Sequence, residues 1–563
     1  MVINRYEHLK RYQEIIVVFA RHGFGVFIDQ LGLFRYLNIK KRIIKIEAEN
    51  EYAKLSIGER LRVALEELGP TFIKLGQVIS TRPDLFSKEI INELEKLQDA
   101  VQLLPFSDIR SVIENEFDEK LENIYTEFTE KPLAAASIAQ VHLARLRSGK
   151  QVVVKVQRPG IERNIDLDLK ILKDLAYFID NHTQYGKLYN FSKMVKEFEN
   201  TLKNELDFRV EGENAETFKR NFSKDKGILV PSISWIHTTR RVLTMEYIDG
   251  IRLSDFDALE KAGIDRKLIA KKLATSIFNQ VLRDGFFHGD PHPGNIMVLP
   301  DNTIAFLDLG MVGKLSEERK IQFLKILIGV TSKNSKLIVE ALMELNAITA
   351  RVNTNKLEKE FDAIRNNYLS HELNKLKIGE LLNEVFKIAF SYKIMLPPEF
   401  TMLAKSLITM EGLVEKLDPQ LSVLEIAEPI AKKLAFATLS PEYFAKIFFR
   451  GITNYSSLIK ELPIFILSFI KRIEEEDFTF YFKIQDIEKI IRRIDRISNR
   501  ISFSIVLLAV SIIIAGIIIG SGMSAHTGVE VYQLNIVLLK IGLAVAGIIT
   551  IGLVLSVFRS GLF

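Results

Sequence analysis

At 563 residues the chain is too long for one ordinary domain, and a spacing of roughly 100 to 200 residues per domain predicts about three or four units. A charged fraction of 26% with a formal net charge of +5 describes a soluble body with a slight basic excess, and no basic patch interleaved with aromatics marks a nucleic-acid surface. Cysteine is absent, which excludes disulfides, thiolate zinc sites and cysteine nucleophiles and fits a reducing compartment.

The first residues, MVINRYEHLKRYQEIIVVFARHGFG, hold an apolar run only from Ile15 to Ala20 before Arg21 and His22 interrupt it, too short for a secretory signal core. From Arg11 to about Gly76 apolar residues recur at helical spacing, and Gly69-Pro70 should end one helix, because the residue before proline is pushed out of the helical region. Helix is predicted again from Pro83 to near Pro105. Strands follow in ENIYTEF from Glu122, QVHLARL from Gln140 and QVVVKVQ from Gln151, the last two joined by a Ser148-Gly149-Lys150 turn as an antiparallel hairpin. One long helix is predicted from about Phe191 to Phe222, then strands at Ser232 to Trp235 and Arg241 to Ile248. Helices from Ser254 to about Leu345 should frame the loop HGDPHPGN, and the chain stays helical and charged to about Tyr481, with MLPPEF at Met395 to Phe400 as its clearest helix start.

The carboxyl terminus differs in kind. Ile505 to Ile519 is apolar except for Ser511, and with the residues from Ile501 it reaches about 20 residues, enough to cross a bilayer. A second run, Ile536 to Phe558, is broken by Lys540, and Met523 to Asn535 connects the two. They read as a transmembrane helical hairpin, the alternative being a buried helical pair in a soluble domain. Arg492, Arg493, Arg496 and Arg500 precede the first run, Arg559 follows the second and the connection has no Lys or Arg, which predicts both ends on the cytoplasmic side of the cell membrane. Lys540 should snorkel to the outer interface.

Chemistry concentrates between residues 134 and 310. HGDPHPGN, from His288 to Asn295, and FLDLG, ending at Gly310, place Asp290, Asn295 and Asp308 in the order and spacing of a protein-kinase-like phosphoryl-transfer site. Such transfer needs charge arranged around a nucleotide and its cation more than covalent help. Asp290 would orient or deprotonate the attacking hydroxyl or water, and Asn295 and Asp308 would ligate magnesium or manganese through hard oxygens. Lys155, on a strand whose alternate side chains share a face, would meet the phosphates of ATP. Its acidic partner is open among Glu205, Asp207, Glu211 and Glu213; helical spacing puts Asp207 and Glu211 on one face. His288 and His292 lie in a loop broken by Pro and Gly, so they should fix that loop by hydrogen bonds and not bind zinc. No GxGxxG precedes Lys155. Ala134, Ala135, Ala136 and Ser137 stand in its place, and alanine disfavours positive φ, so this loop should be stiffer than a glycine loop. With Lys155, the Ala134 to Ser137 loop and Glu246 and Tyr247 are the candidate nucleotide contacts.

These residues resemble the atypical kinase-like UbiB family, also called ADCK, over most of the chain. KLGQ, Lys74 to Gln77, looks like its KxGQ signature; AAAS, Ala134 to Ser137, like its alanine-rich loop; and ELD, Glu205 to Asp207, like its ExD motif. The resemblance makes Glu211 the partner of Lys155 and folds the KxGQ helices over the cleft, with Lys74 and Gln77 reaching toward the ExD acids. It implies a covered peptide site, favouring ATP hydrolysis or phosphorylation of something small or lipid-like. It also implies support of isoprenoid-quinone, ubiquinone-type, or related lipid biosynthesis, with membrane lipids, quinone or isoprenoid precursors and quinone-biosynthesis enzymes as partners. The expected class is α+β: a bilobal protein-kinase-like fold with a helical N-terminal extension (1–115), an N-lobe (116–250), a C-lobe (251–345), a helical C-terminal extension (346–495) and a transmembrane hairpin (496–563). A conventional Ser/Thr protein kinase and a nucleotide-switched, non-catalytic lipid-presenting scaffold are the alternatives.

Overall fold

The computed structural model describes residues 5–30, 54–97, 103–183, 190–331, 334–345, 354–368, 377–427 and 429–430, with scattered residues between 501 and 551. Chain contacts divide it into two units, Met1–Ile447 and Phe448–Phe563.

Within the first unit a small lobe is built on an antiparallel sheet. Tyr125–Phe128, Ala139–Leu146, Gln151–Gln157 and Val242–Glu246 lie in that order, and Ala134–Ala135 adds to the second of these strands. In Gln151–Gln157 the twofold side-chain alternation divides the labour. Val152, Val154 and Val156 are buried against Ile109 and Ile113 of the helix Phe106–Phe117, while Lys155, opposite Val141 and Leu243 on the neighbouring strands, takes the other face. The helices Ile57–Leu68 and Pro70–Ser80 meet at Gly69, whose φ of 94° turns the chain; the first ends there as the sequence predicts, and Pro70 starts the second at once.

A larger lobe follows. Ile296–Val298 pairs antiparallel with Ile304–Phe306, and Phe286–His288 with Val312–Lys314, over a core shared with Arg266–Phe278 and the extension helices Ile378–Tyr392 and Pro398–Leu417. These two strand pairs bring the segments 288–295 and 307–311 side by side. Pro398 opens its helix, as MLPPEF predicts.

Four expectations change. A 22-residue helix, Ile161–His182, occupies a stretch where no element was assigned; Ile161, Ile165 and Leu169, four residues apart, form its buried stripe. The single helix expected over Phe191 to Phe222 is two, Phe191–Glu205 and Phe208–Asn221. Asp207 leaves helical geometry between them and accepts from Arg209 N, capping the second helix. At Ser232 to Trp235 there is only a bridge between Ile233 and Met245 and a 3-10 turn, Trp235–His237. Finally, no helix among the described residues is long and apolar enough to cross a membrane. In the second unit, residues 511–516 and 539–548 are helical, and Gly542 packs against Ile514. The rest of the expected hairpin, including its connection and the arginines before it, lies outside the described residues.

The helix Phe191–Glu205 is held to Ile161–His182 by Glu199, whose carboxylate is 4% exposed and accepts from Lys173, Lys196 and Lys203 at 2.7–2.9 Å. These three lysines hold its pKa down at about 2, below the ordinary 4.5. The resulting stability is complete above pH 4.5 and is lost as pH falls through 2. Glu199→Gln should therefore lower stability at pH 7 by about 1–3 kcal/mol, measured by urea unfolding. The gap from wild type should shrink on acidification below pH 4.5; a gap unchanged down to pH 3 would refute the assignment.

Candidate active site

Phe208 and Glu211 lie one turn apart on the helix Phe208–Asn221 and both meet Lys155. The ammonium lies 5.5 Å from the Phe208 ring centre and donates to Glu211 Oε2 at 2.8 Å. Asp308 Oδ1 is 3.7 Å from the same nitrogen. Burial works against the charge on Lys155, but Asp308 and Glu211 outweigh it and push its pKa above the ordinary lysine value. Lys155, aided by Lys74 and His288, holds Asp308 down at about 2, although the Asp308 side chain is 53% exposed to the cleft. Lysine and aspartate are thus both ionised across the physiological range.

The catalytic loop is held from beneath. His288 is buried; its Nε2 meets the Leu307 carbonyl, its Nδ1 accepts from Asp290 N, and burial lowers its pKa. His292 Nδ1 accepts from Gly294 N. The two histidines serve the loop through hydrogen bonds, as expected. Leu307 N donates to the Asn295 carbonyl at 2.8 Å, tying the loop to the strand that delivers Asp308. Asp308 itself sits at φ 46°, a conformation uncommon for a residue with a Cβ, and accepts from Gly310 N. Asn295 Nδ2 donates to the Asp290 carbonyl, which leaves its amide oxygen for a cation. Asp308 and Asn295 are hard oxygen donors, and magnesium is commonly held by one or two such protein ligands together with phosphate oxygens, so the pair fits the expected ion.

These groups line one cavity of about 700 Å³. Its roof is the KLGQ helix, Pro70–Ser80, whose Lys74 pairs with Glu205 at 3.1 Å. Gly76 is required there: an added Cβ would collide with the side chains of Leu97 and Leu65. The segment after this helix is tied to the C-terminal extension, since Asp84 accepts from both Arg82 and Leu396 N, and Arg82 donates to the Leu396 carbonyl.

Lys74, Gln77, Ala136, Lys155, Glu205, Glu211, Asp290, Asn295 and Asp308 therefore converge. Other expected contacts do not. Asp207 is turned to the Arg209 guanidinium, because it caps a new helix instead of continuing the old one. Ala134 and Ala135 pair with Gln140 and Val141 in the sheet, and Ser137 is fully buried beneath the loop. Ala136 N donates to the Ala139 carbonyl at 2.8 Å, closing the loop as a tight hairpin, and Arg158 donates to the Ala136 carbonyl. Glu246 accepts from Ser232 and pairs with Lys150, and neither it nor Tyr247 lines the cavity. Two charged lining residues were missed by sequence reasoning: Glu95, and Lys405 on Pro398–Leu417, 3.9 Å from Asp290 Oδ1. A lone charge in the otherwise uncharged TMLAKSLITM is the signal that marks it.

A two-lobed body with a strand lysine held by a helix glutamate, above paired loops carrying Asp290, Asn295 and Asp308, is a protein-kinase-like fold. Residues 96–342 match the ABC1 atypical kinase-like domain, 361–422 the UbiB helical domain and 485–559 the ABC1/UbiB kinase-like C-terminal domain. The chain is 33% identical to an uncharacterized protein in the hydrogenase 1 5'region of Clostridium pasteurianum, over 98% of this chain and 99% of that one. It is 35% identical to a probable protein kinase UbiB of Xylella fastidiosa, over 76% of this chain and 79% of that one. It is also 37% identical to the uncharacterized protein sll1770 of Synechocystis sp., over 66% of this chain but only 64% of that protein's length. The chain belongs to the UbiB/ADCK family of atypical kinase-like proteins.

The Lys74–Glu205 pair is 15% and 8% exposed, so solvent screens it little and its loss should loosen the helix it holds. Glu205→Gln should speed amide exchange in residues 70–80, read by hydrogen–deuterium exchange, and leave the strand Gln151–Gln157 protected. Unchanged exchange in the KLGQ helix would show that the pair does not hold the roof.

Proposed function

We propose that this chain is a membrane-anchored, atypical kinase-like ATPase that supports isoprenoid-quinone, ubiquinone-type, or related isoprenoid-lipid biosynthesis. The observation that carries the reading is the KLGQ helix held by Lys74–Glu205 over the cavity containing Asp290, where it occupies the approach a peptide substrate would need. Lys155, fixed by Glu211, binds the nucleotide phosphates. Asp308 and Asn295 hold magnesium or manganese, which when bound offsets charge on the phosphate oxygens. Asp290 orients the attacking water or hydroxyl and takes its proton. The closed Ala134 to Ser137 hairpin touches the nucleotide through Ala136, beside Ile138 in the cavity wall.

The pathway part draws on the relatives named as probable UbiB protein kinases. The membrane part draws on the second unit, where Ile512, Ile513, Ile541 and Ile548 are exposed, a pattern suited to a lipid surface. The arginines before the first apolar run support, by the positive-inside rule, a kinase-like body on the cytoplasmic side.

Full-length protein in detergent or with anionic liposomes should hydrolyse magnesium ATP, followed by phosphate release, and Asp308→Asn should lower the rate by about 100-fold or more. A wild-type protein that binds no magnesium or manganese ATP by calorimetry, with or without lipid, would defeat the proposal.

A further inference from the structure

Behind the KLGQ helix lies a second cavity, of about 310 Å³, between residues 80–95 and the extension helices Ile378–Tyr392 and Pro398–Leu417. Phe86, Ile91, Phe386 and Phe390 give it apolar walls, relieved by Asn92, Asn383 and Thr401. Ser80, Glu95, Lys405, Ile408 and Thr409 line both this cavity and the catalytic one, so at most one layer of side chains separates them.

That layer carries unbalanced charge. Lys405 is 21% exposed and stands 3.9 Å from Asp290, an ion pair too long for a hydrogen bond. Glu95, an exposed residue, lines both cavities with the same lysine. Burial raises its carboxyl pKa, the nearby Asp290 adds to the rise, and Lys405 opposes it. One cation therefore serves two acids, each at long range, and a polar atom placed between them would complete the hydrogen bonding of all three. The neighbouring hydroxyls of Ser80 and Thr409 add further donors and acceptors.

We propose that the second cavity binds the apolar part of a small amphipathic alcohol whose hydroxyl reaches Lys405 and Glu95 at the wall beside Asp290. Aromatic and aliphatic walls mixed with amides, hydroxyls and the ammoniums of Lys88, Lys387 and Lys405 suit an amphipathic ligand, and the volume lies at the low end of the roughly 300–1,000 Å³ typical of such sites. It admits a short prenyl or alkyl chain and is too small for a long polyprenyl tail. The two extension helices thus act as one wall of a substrate-side site, in addition to packing on the large lobe. The inference rests on the catalytic reading of the cleft given above.

Full-length protein in detergent, titrated with geraniol and followed by saturation-transfer NMR, tests it, with magnesium ATP affinity measured in parallel by calorimetry. Wild type should bind geraniol. Asn383→Trp, which fills the cavity from the wall remote from Asp290, should weaken geraniol at least tenfold and leave ATP affinity unchanged, a control that the variant folds. Lys405→Met should weaken geraniol at least threefold by removing the polar anchor. Geraniol binding that is absent, or equal in wild type and Asn383→Trp, overturns the site even if ATP binds normally. Binding unaffected by Lys405→Met overturns the placement of the hydroxyl. Failure of wild type to bind ATP while geraniol binds as described removes the catalytic reading and, with it, the assignment beside Asp290.

Discussion

Lys155 holds the site together. An ammonium taken largely out of water is stable only where opposite charge surrounds it, and here Glu211 at 2.8 Å and Asp308 at 3.7 Å supply that charge from two different lobes. The strand sets where the lysine points, the helix Phe208–Asn221 brings the glutamate, and the large-lobe loop brings the aspartate. Each of these elements is therefore constrained by one charge balance, and the same balance keeps Asp308 ionised and ready for a cation.

A second constraint lies above the first. The KLGQ helix can approach the cleft only because Gly76 presents no side chain to Leu97 and Leu65, and only because Lys74 finds Glu205 at the end of the helix before the one that carries Glu211. The chain break at Asp207 separates these two acids, so that Glu205 answers the roof and Glu211 the floor. Arg82 and Asp84 then fasten the roof to Leu396, so the extension helices take part in the site. Lys405 enters the cavity from there.

The candidate catalytic and metal-binding residues were legible because such motifs depend on short, local spacing: Asp290 to Asn295 is one loop, and Asp308 lies just beyond the paired strand. Lys155 was legible from the twofold alternation of VVVKVQ. The acids at 205, 207 and 211 were not separable by spacing, since the i, i+4 relation of Asp207 and Glu211 presumes an unbroken helix and the helix breaks between Glu205 and Phe208. Glu246 and Ser137 lie off the cavity wall for another reason: nearer partners, Ser232 and Lys150, engage the side chain of the first, and packing buries the second.

By itself the sequence determined the kinase-like set of motif residues, the strand that carries the lysine, the helix end at Gly69 and the helix start at Pro398, because these depend on residue type and on neighbours a few positions away. Only the tertiary structure decided which acid meets which lysine, that Lys405 and Glu95 share the cleft, and that a second cavity adjoins it. Those are contacts between residues 56 to more than 300 positions apart, and no local periodicity encodes a meeting of charges that depends on how separate helices pack.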